Sequence, residues 1–369
     1  MGADTTSARS TNLIIPTEPV GSIPRPPELI EAIAAHRAGQ IDDACLEVFY
    51  DAAVRDTVAR FEATGSAVIS DGEQRKNHNF ATYCVDGLPN FAPDGFRLQF
   101  VNHYRQWPRL TSGPFRYLRY ADSHLKAAMT LTARPVKQAV ISPSALSLFY
   151  PADAIVGYSR DAFIADLLDE HEKELRACLA AGAHAVQVDF TEGRLAMKLD
   201  PSGQLLDSFI RLNNLALSRF TAAERNRIAV HTCPGGDRDS THSADVDYAD
   251  LLPTLFELKA GSFFVALARE PEREPVLELI RTYLKPDQRV YVGVIDPLDA
   301  RIETPAEVCE RVLEAARHIP LAQLGTTDDC GFAPFCDDVS TTRDIAFAKI
   351  SARVAGTALA ARQLAASAT

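Results

Sequence analysis

The sequence predicts a single (β/α)8, or TIM, barrel with an insertion between its second and third strands, and three observations predict it. Short β-branched runs recur between amphipathic stretches. Continuous apolar runs such as AVQV, RIAV and RVYVGVI suit strands covered on both faces, as in a parallel sheet. The chain closes on a long Ala-rich helical pattern, so that eight strand-like runs alternate with helices, the count of the barrel. A doubly wound open sheet is the rival, but no G-x-G-x-x-G follows any run.

In chain order, residues 1–16 are polar and mixed in charge and read as a disordered arm, with 17–369 as the barrel domain. The first two strands are placed at Pro19–Ile23 and Ala67–Asp71. Residues 73–135 are Pro- and Gly-rich and aromatic, and longer than a loop plus helix requires. They read as an excursion with structure of its own, such as a hairpin, covering the barrel mouth. The remaining strands are Val136–Ser142, Ala185–Phe190, Arg227–Cys233, Ser262–Leu267, Arg289–Ile295 and Leu324–Asp329. Asp161–Ala181 carries Phe163, Ile164, Leu167, Leu168 and Leu175 on one side and ends at Gly182, a natural C-cap. A helix over Thr304–Arg317 opens with Thr304, Pro305 and Glu307, the pattern of a capping box. Thr341–Arg362 is the terminal helix.

Composition narrows the function. With 46% apolar and 24% charged residues the chain is ordinary globular protein, long enough to bury a core without staples. Against 49 acidic residues stand 38 Lys and Arg, a net charge of −11 that repels phosphate backbones and anionic lipid. Nucleic acid and membrane are therefore not expected partners. No apolar run approaches the ~20 residues of a bilayer span, and the amino-terminus lacks a secretory h-region, so the expected location is the cytoplasm. Seven cysteines, an odd number, read there as thiols.

Polar residues end the strands in turn: Ser22 and Arg25, Asp71 and Glu73, Ser142 and Ser144, Asp189, His231 and Cys233, Arg269, Asp296, then Asp329 and Cys330. In a barrel these ends converge on one mouth. His231 and Cys233 are two apart on a strand, so imidazole and thiol share a face, and Cys330 ends the last strand toward the same mouth. One imidazole and two thiols with an open fourth position is the donor set of a catalytic Zn2+. Cys45, Cys178 and Cys309 fit buried small hydrophobes, Cys84 lies in the excursion, and Cys336 follows Cys330 closely enough to be an extra ligand. His184 sits at an amino-terminal strand end, whereas His242, in a polar loop after the metal strand, is within reach of the mouth. Asp329 and Asp237 are the nearest acceptors in sequence to orient His231.

The motifs His231-Thr232-Cys233 and Asp329-Cys330-Gly331 resemble the zinc motifs of cobalamin-independent methionine synthase, specifically its catalytic carboxy-terminal barrel. Val20-Gly21-Ser22-Ile23-Pro24-Arg25, Asp71-Gly72-Glu73 and Gln187-Val188-Asp189 agree, so the similarity runs from about Val20 to the terminal helix. The resemblance implies a single-barrel relative in which zinc carries a thiol substrate as thiolate and an alkyl group passes to its sulfur. It assigns Ser22, with the backbone near Gly21, to the carboxylate of an amino-acid thiol, and Asp189 to its ammonium. Three positions depart from the family pattern. Ala266 stands where a further glutamate ligand is usual, Leu298 where a histidine acid is usual, and Phe190 where an acidic residue follows Asp189. Three protein ligands and a donor other than polyglutamyl folate follow, with Glu270 the alternative source of a fourth ligand. Asp296 and Glu73 stand as candidate acids at the mouth.

The similar epoxyalkane:coenzyme M transferase offers an alternative thiol alkylation, with Arg25, Arg75, Arg194 and Arg269 as holders of a sulfonate or carboxylate. A metal-free barrel related to uroporphyrinogen decarboxylase is the alternative outside this chemistry. On either thiol reading the partners are small molecules, a thiol and an alkyl donor; self-association into a homo-oligomer is left open.

Overall fold

A computed structural model describes residues 13–367. Ten strands form among them: β1 (Phe91–Ala92), β2 (Arg97–Gln99), β3 (Tyr104–Gln106), β4 (Arg109–Leu110), β5 (Gln138–Ile141), β6 (Val186–Asp189), β7 (Ile228–Thr232), β8 (Ser262–Val265), β9 (Arg289–Ile295) and β10 (Leu324–Asp328). β5 to β10 pair in sequence order into one six-stranded sheet, parallel throughout. Helices connect them, giving a mixed α/β fold. The strands are almost wholly buried on both faces, which is why their sequences show apolar runs and no alternation.

Both edges of this sheet are met by extended chain. Thr17 bridges in parallel to Thr326 of β10, where Thr326 N–H donates to Pro16 O and Glu18 N–H to Thr326 O (2.9 and 3.0 Å). Ile69 bridges in parallel to Val136, just ahead of β5, and Ile23 N–H donates to Gly72 O at 3.0 Å. The expected strands Pro19–Ile23 and Ala67–Asp71 thus shrink to single bridges at Thr17 and Ile69. In the first, Pro16 and Pro19 have no N–H to extend a ladder. In the second, the Ser70 hydroxyl bonds Gly21 O (2.9 Å) and accepts from Gly72 N–H (3.1 Å), so that the backbone there turns instead of pairing. Of the expected arm 1–16, residues 1–12 lie outside the described residues. Ile15 is buried and Pro16 is bonded, so packed chain begins before residue 17.

Helix ends obey local chemistry. Arg160–Ala181 starts on the Ser159 hydroxyl and stops at Gly182, whose φ of 97° favours glycine. Pro305–Ala316 carries the reciprocal Thr304–Glu307 capping box, and the last helix, Arg343–Ser367, runs beyond Arg362. Between Glu73 and Pro135 the chain forms two small antiparallel pairs, β1 with β4 and β2 with β3, and the helix Asp122–Met129. Hydrogen bonds from Val101 N–H to Thr241 O and from Phe80 N–H to Pro334 O (3.3 and 2.9 Å) lay this segment on the loops that follow β7 and β10.

The terminal helix is tied to β10 by an ion pair with no solvent access. Arg353 Nη1 donates to Asp328 Oδ2 and to Glu18 O, each at 2.7 Å. Arg353→Ala strands the Asp328 carboxylate in the core. Urea unfolding is expected to show a loss of about 3–5 kcal/mol, against less than half that for Arg353→Met with Asp328→Leu.

Candidate metal centre

The parallel register builds the site. Asp189 of β6 stands opposite His231 of β7, and both are buried. Beyond Thr232 the backbone leaves the sheet through Cys233 and Pro234, then turns at Gly235 with φ 76°. Cys330 follows the end of β10. The ligand atoms of His231, Cys233 and Cys330 all lie within 4.8 Å of one another, and all three side chains are buried. The two sulfurs are 3.2 Å apart, within hydrogen-bond distance, so that one thiol donates to the other. His231 Nδ1 lies 3.2 Å from Asp189 Oδ1, and Nε2 lies 3.4 Å from Asp329 O.

Charge is concentrated in this cluster. The Cys330 thiol donating to it, with His231 alongside, outweighs burial and brings the Cys233 thiol down to about 5. Burial alone would depress His231, yet the Cys233 sulfur and Asp189 carry it up to about 10. Donation to Cys233, together with burial, pushes Cys330 well above the ordinary thiol range. Two sulfurs in van der Waals contact that share a proton, beside an imidazole, fit a divalent cation that would displace that proton. Ala266 packs in one buried cluster with Cys233 and Cys330, so a methyl stands where the family pattern has a carboxylate. Glu270 is not available there: it pairs with Arg194 at 2.6 Å.

The orienting carboxylate differs from expectation. Neither Asp329 nor Asp237 offers its side chain to His231; Asp189 does, because strand register rather than sequence proximity decides the neighbour. Asp329 instead accepts from the N–H groups of Leu267, Ala268 and Arg269 (2.7, 2.7 and 2.9 Å), clamping the chain beyond β8 to the cluster. Only glycine at 293 allows this, since a Cβ there would come 1.8 Å from Asp329 Oδ1. Asp237 pairs with His103 Nε2 at 2.6 Å and with Arg105, fastening the β2–β3 hairpin over the site.

Above the cluster lies a cavity of about 30 Å³ lined in part by Ser22, Glu73, Asp189, His231, His242 and Cys330. It is smaller than an amino acid, and Phe80, Leu98, Phe100 and Phe335 supply its aromatic and aliphatic roof. Gly21 lies behind Glu73, 3.3 Å being the approach of a Cβ there to Glu73 Oε1. Burial lifts Glu73 to about 7 against the pull of Lys76, 3.3 Å away. Among the expected site residues, Arg25, Arg269 and Asp296 are not in the lining. Arg25 spends its guanidinium on the carbonyls of Ala333, Glu73 and Lys76 (3.3, 3.0 and 2.6 Å). Arg269 is half exposed, 3.8 Å from Asp296, whose Oδ1 caps Leu298 N–H. Arg75 is paired with Glu47 and Asp51. Cys336 is outside the cluster, near Arg37. Lys76, Thr191 and the aromatic roof were not foreseen; the run of Phe residues in the excursion was the one signal for the roof.

Fold and site together define an α/β enzyme whose polar groups gather at the carboxyl ends of a parallel sheet. Residues 15–343 match the family described as cobalamin-independent synthase, catalytic domain, and the chain belongs to that family. It is 26% identical over 353 residues to the methionine synthase of Sulfurisphaera tokodaii, covering 95% of this chain and 94% of that one. A 5-methyltetrahydropteroyltriglutamate–homocysteine methyltransferase of Nitratidesulfovibrio vulgaris is 26% identical over 326 residues, 86% of this chain and 38% of that longer protein. A solved B12-independent methionine synthase of a Shewanella species, in complex with selenomethionine, has the same fold. Its TM-score is 0.76 at 21% identity, over 96% of this chain and 99% of that one.

The depressed Cys233 group is an acid whose folded value lies below its unfolded one, so its thiolate is present above about pH 5 and lost as pH falls through that value. Metal-free protein at pH 7 is expected to show this thiolate in its ultraviolet absorbance, with a midpoint near 5. Cys330→Ala removes the donor and moves the midpoint upward. A protein with no thiolate absorbance at neutral pH contradicts this.

Proposed function

We propose that the chain is a zinc-dependent thiol methyltransferase that converts homocysteine to methionine on a (β/α)8 barrel. The barrel is supported by the bridges at Thr17 and Ile69 and by the Ile23–Gly72 hydrogen bond, which link the two sheet edges through two further extended segments. On this reading residues 73–135 are the insertion between strands two and three. The activity rests on one observation: His231, Cys233 and Cys330 converge beside a cavity that His231 and Cys330 line together with Glu73 and Asp189 and that, among the described residues, no Lys or Arg lines.

His231, Cys233 and Cys330 would hold Zn2+, leaving a place for substrate sulfur. Bound there, zinc lowers a thiol's pKa so that it is ionised yet nucleophilic at neutral pH. Asp189 fixes His231 by accepting from Nδ1–H, which leaves Nε2 unprotonated as a donor atom. Glu73 and Asp189 attract an ammonium group. Ser22 and the backbone turning at Gly331, where a Cβ would come 2.0 Å from Ser22 Oγ, accommodate a carboxylate. The phenyl roof and the hairpin fastened by Asp237 exclude water. A sulfonate thiol, as in the epoxide alternative, meets two carboxylates and no cation. All seven cysteines are free, as suits a cytoplasmic, reducing location.

Purified protein is expected to hold one equivalent of zinc, and Cys233→Ser, Cys330→Ser and His231→Ala each to lose metal and homocysteine methylation together. Full methylation by metal-free protein, or zinc retained by all three variants, overturns the reading.

A further inference from the structure

We infer that the methyl donor is an onium compound, a sulfonium or quaternary ammonium whose leaving group departs neutral. This rests on the reading of the site as a thiol methyltransferase and names its second substrate. Phe80, Phe100 and Phe335 all line the cavity, with Phe335 edge-on to both of the others, its centroid 6.0 Å from that of Phe80 and 6.3 Å from that of Phe100. Glu73 and Asp189 line the same cavity. Aromatic faces and carboxylates are the surroundings a desolvated cation seeks, and among the described lining residues no lysine or arginine opposes it.

His242 strengthens the case. It is buried against Phe100 (5.4 Å) and lies over Gly235, where a Cβ would come 2.2 Å from Nε2. Its Nδ1 is 2.9 Å from Ser243 Oγ, and that hydroxyl donates to Pro234 O at 3.3 Å, so Nδ1 carries the proton. Burial, with Lys198 and Arg194 nearby, keeps the ring neutral. Nε2 is thus a bare acceptor with no hydrogen-bond partner among the described residues, and it lines the cavity. Beside Cys330 the side chain that approaches Gly236 is Leu298, which has no proton to give. A cationic leaving group needs no proton, whether or not Glu73 holds one. The substrate sulfur supplies the electron pair of the new S–CH3 bond. The CH3–S⁺ or CH3–N⁺ bond breaks with its pair returning to the departing atom, which leaves as neutral thioether or tertiary amine.

Trp107, the single tryptophan, has its ring 6.4 Å from Phe80 and reports on the roof. Its fluorescence in the full-length protein is titrated with choline and with the neutral isostere 3,3-dimethylbutanol. Choline is expected to bind about tenfold more tightly, with the preference erased in Phe100→Leu. Zinc-loaded protein is then given homocysteine with trideuteromethyl-labelled S-methylmethionine, glycine betaine or 5-methyltetrahydrofolate triglutamate. Label is expected in methionine from one onium arm, which identifies sulfonium or ammonium. Methionine from the folate and from neither onium overturns the donor assignment while thiol methylation stands. Equal binding of choline and its isostere, with no methionine from any donor, overturns both.

Discussion

Contact between two thiols and an imidazole at the end of a parallel sheet is the constraint around which the rest of this molecule is arranged. Three polar groups with opposed proton preferences are buried within 4.8 Å, where they would repel or strand one another without a shared proton or a shared cation. The neighbouring chain holds them there. Asp189 steadies His231 from the next strand, and the three N–H groups received by Asp329 lock the chain beyond β8 against the loop that carries Cys330. Glycines at 235, 293 and 331 remove side chains that would collide with His242, Asp329 and Ser22. Backbone freedom at these positions is spent on closeness at the site.

Electrostatics then decides what can sit above the cluster. The guanidinium of Arg25 is consumed by three carbonyls, those of Arg75 and Arg194 by carboxylates, and Lys76 lies behind Glu73. Cations that a count of residues places near the mouth are therefore unavailable to a ligand, and the lining is left acidic and aromatic. An acceptor carrying an ammonium is favoured over one carrying a sulfonate. The same Asp237 that looks in sequence like a partner for His231 is instead the anchor for His103 and Arg105, so a charge close to His231 in the chain fastens the hairpin and not the imidazole.

The sheet strands and helix caps were legible because each depends on short-range rules: apolar runs of four to seven residues, Ser159 and Gly182 around one helix, the Thr304–Glu307 pair at another. The first two expected strands were not, because prolines and a Ser70 side-chain bond replace the ladder at positions whose composition still looks extended. The three residues could be grouped from the sequence because His231 and Cys233 lie two apart at the end of one strand and Cys330 follows the end of another. The Asp189 contact, the buried clamp of Arg25 and the salt bridge behind Glu73 depend on which strands and loops become neighbours, and nothing local in the sequence records that. Ala266 is a case between the two. Its departure from the family pattern is visible in the chain, but its place in one buried cluster with Cys233 and Cys330 comes only from the fold.

The most direct test is zinc K-edge X-ray absorption on the zinc-loaded protein before and after homocysteine is added. Three protein ligands and an open place require a shell of two sulfurs at about 2.3 Å, one nitrogen at about 2.0–2.1 Å and one light exchangeable atom, with that atom replaced by a third sulfur on addition of the thiol. A shell that already holds a protein carboxylate and gains no sulfur would contradict it.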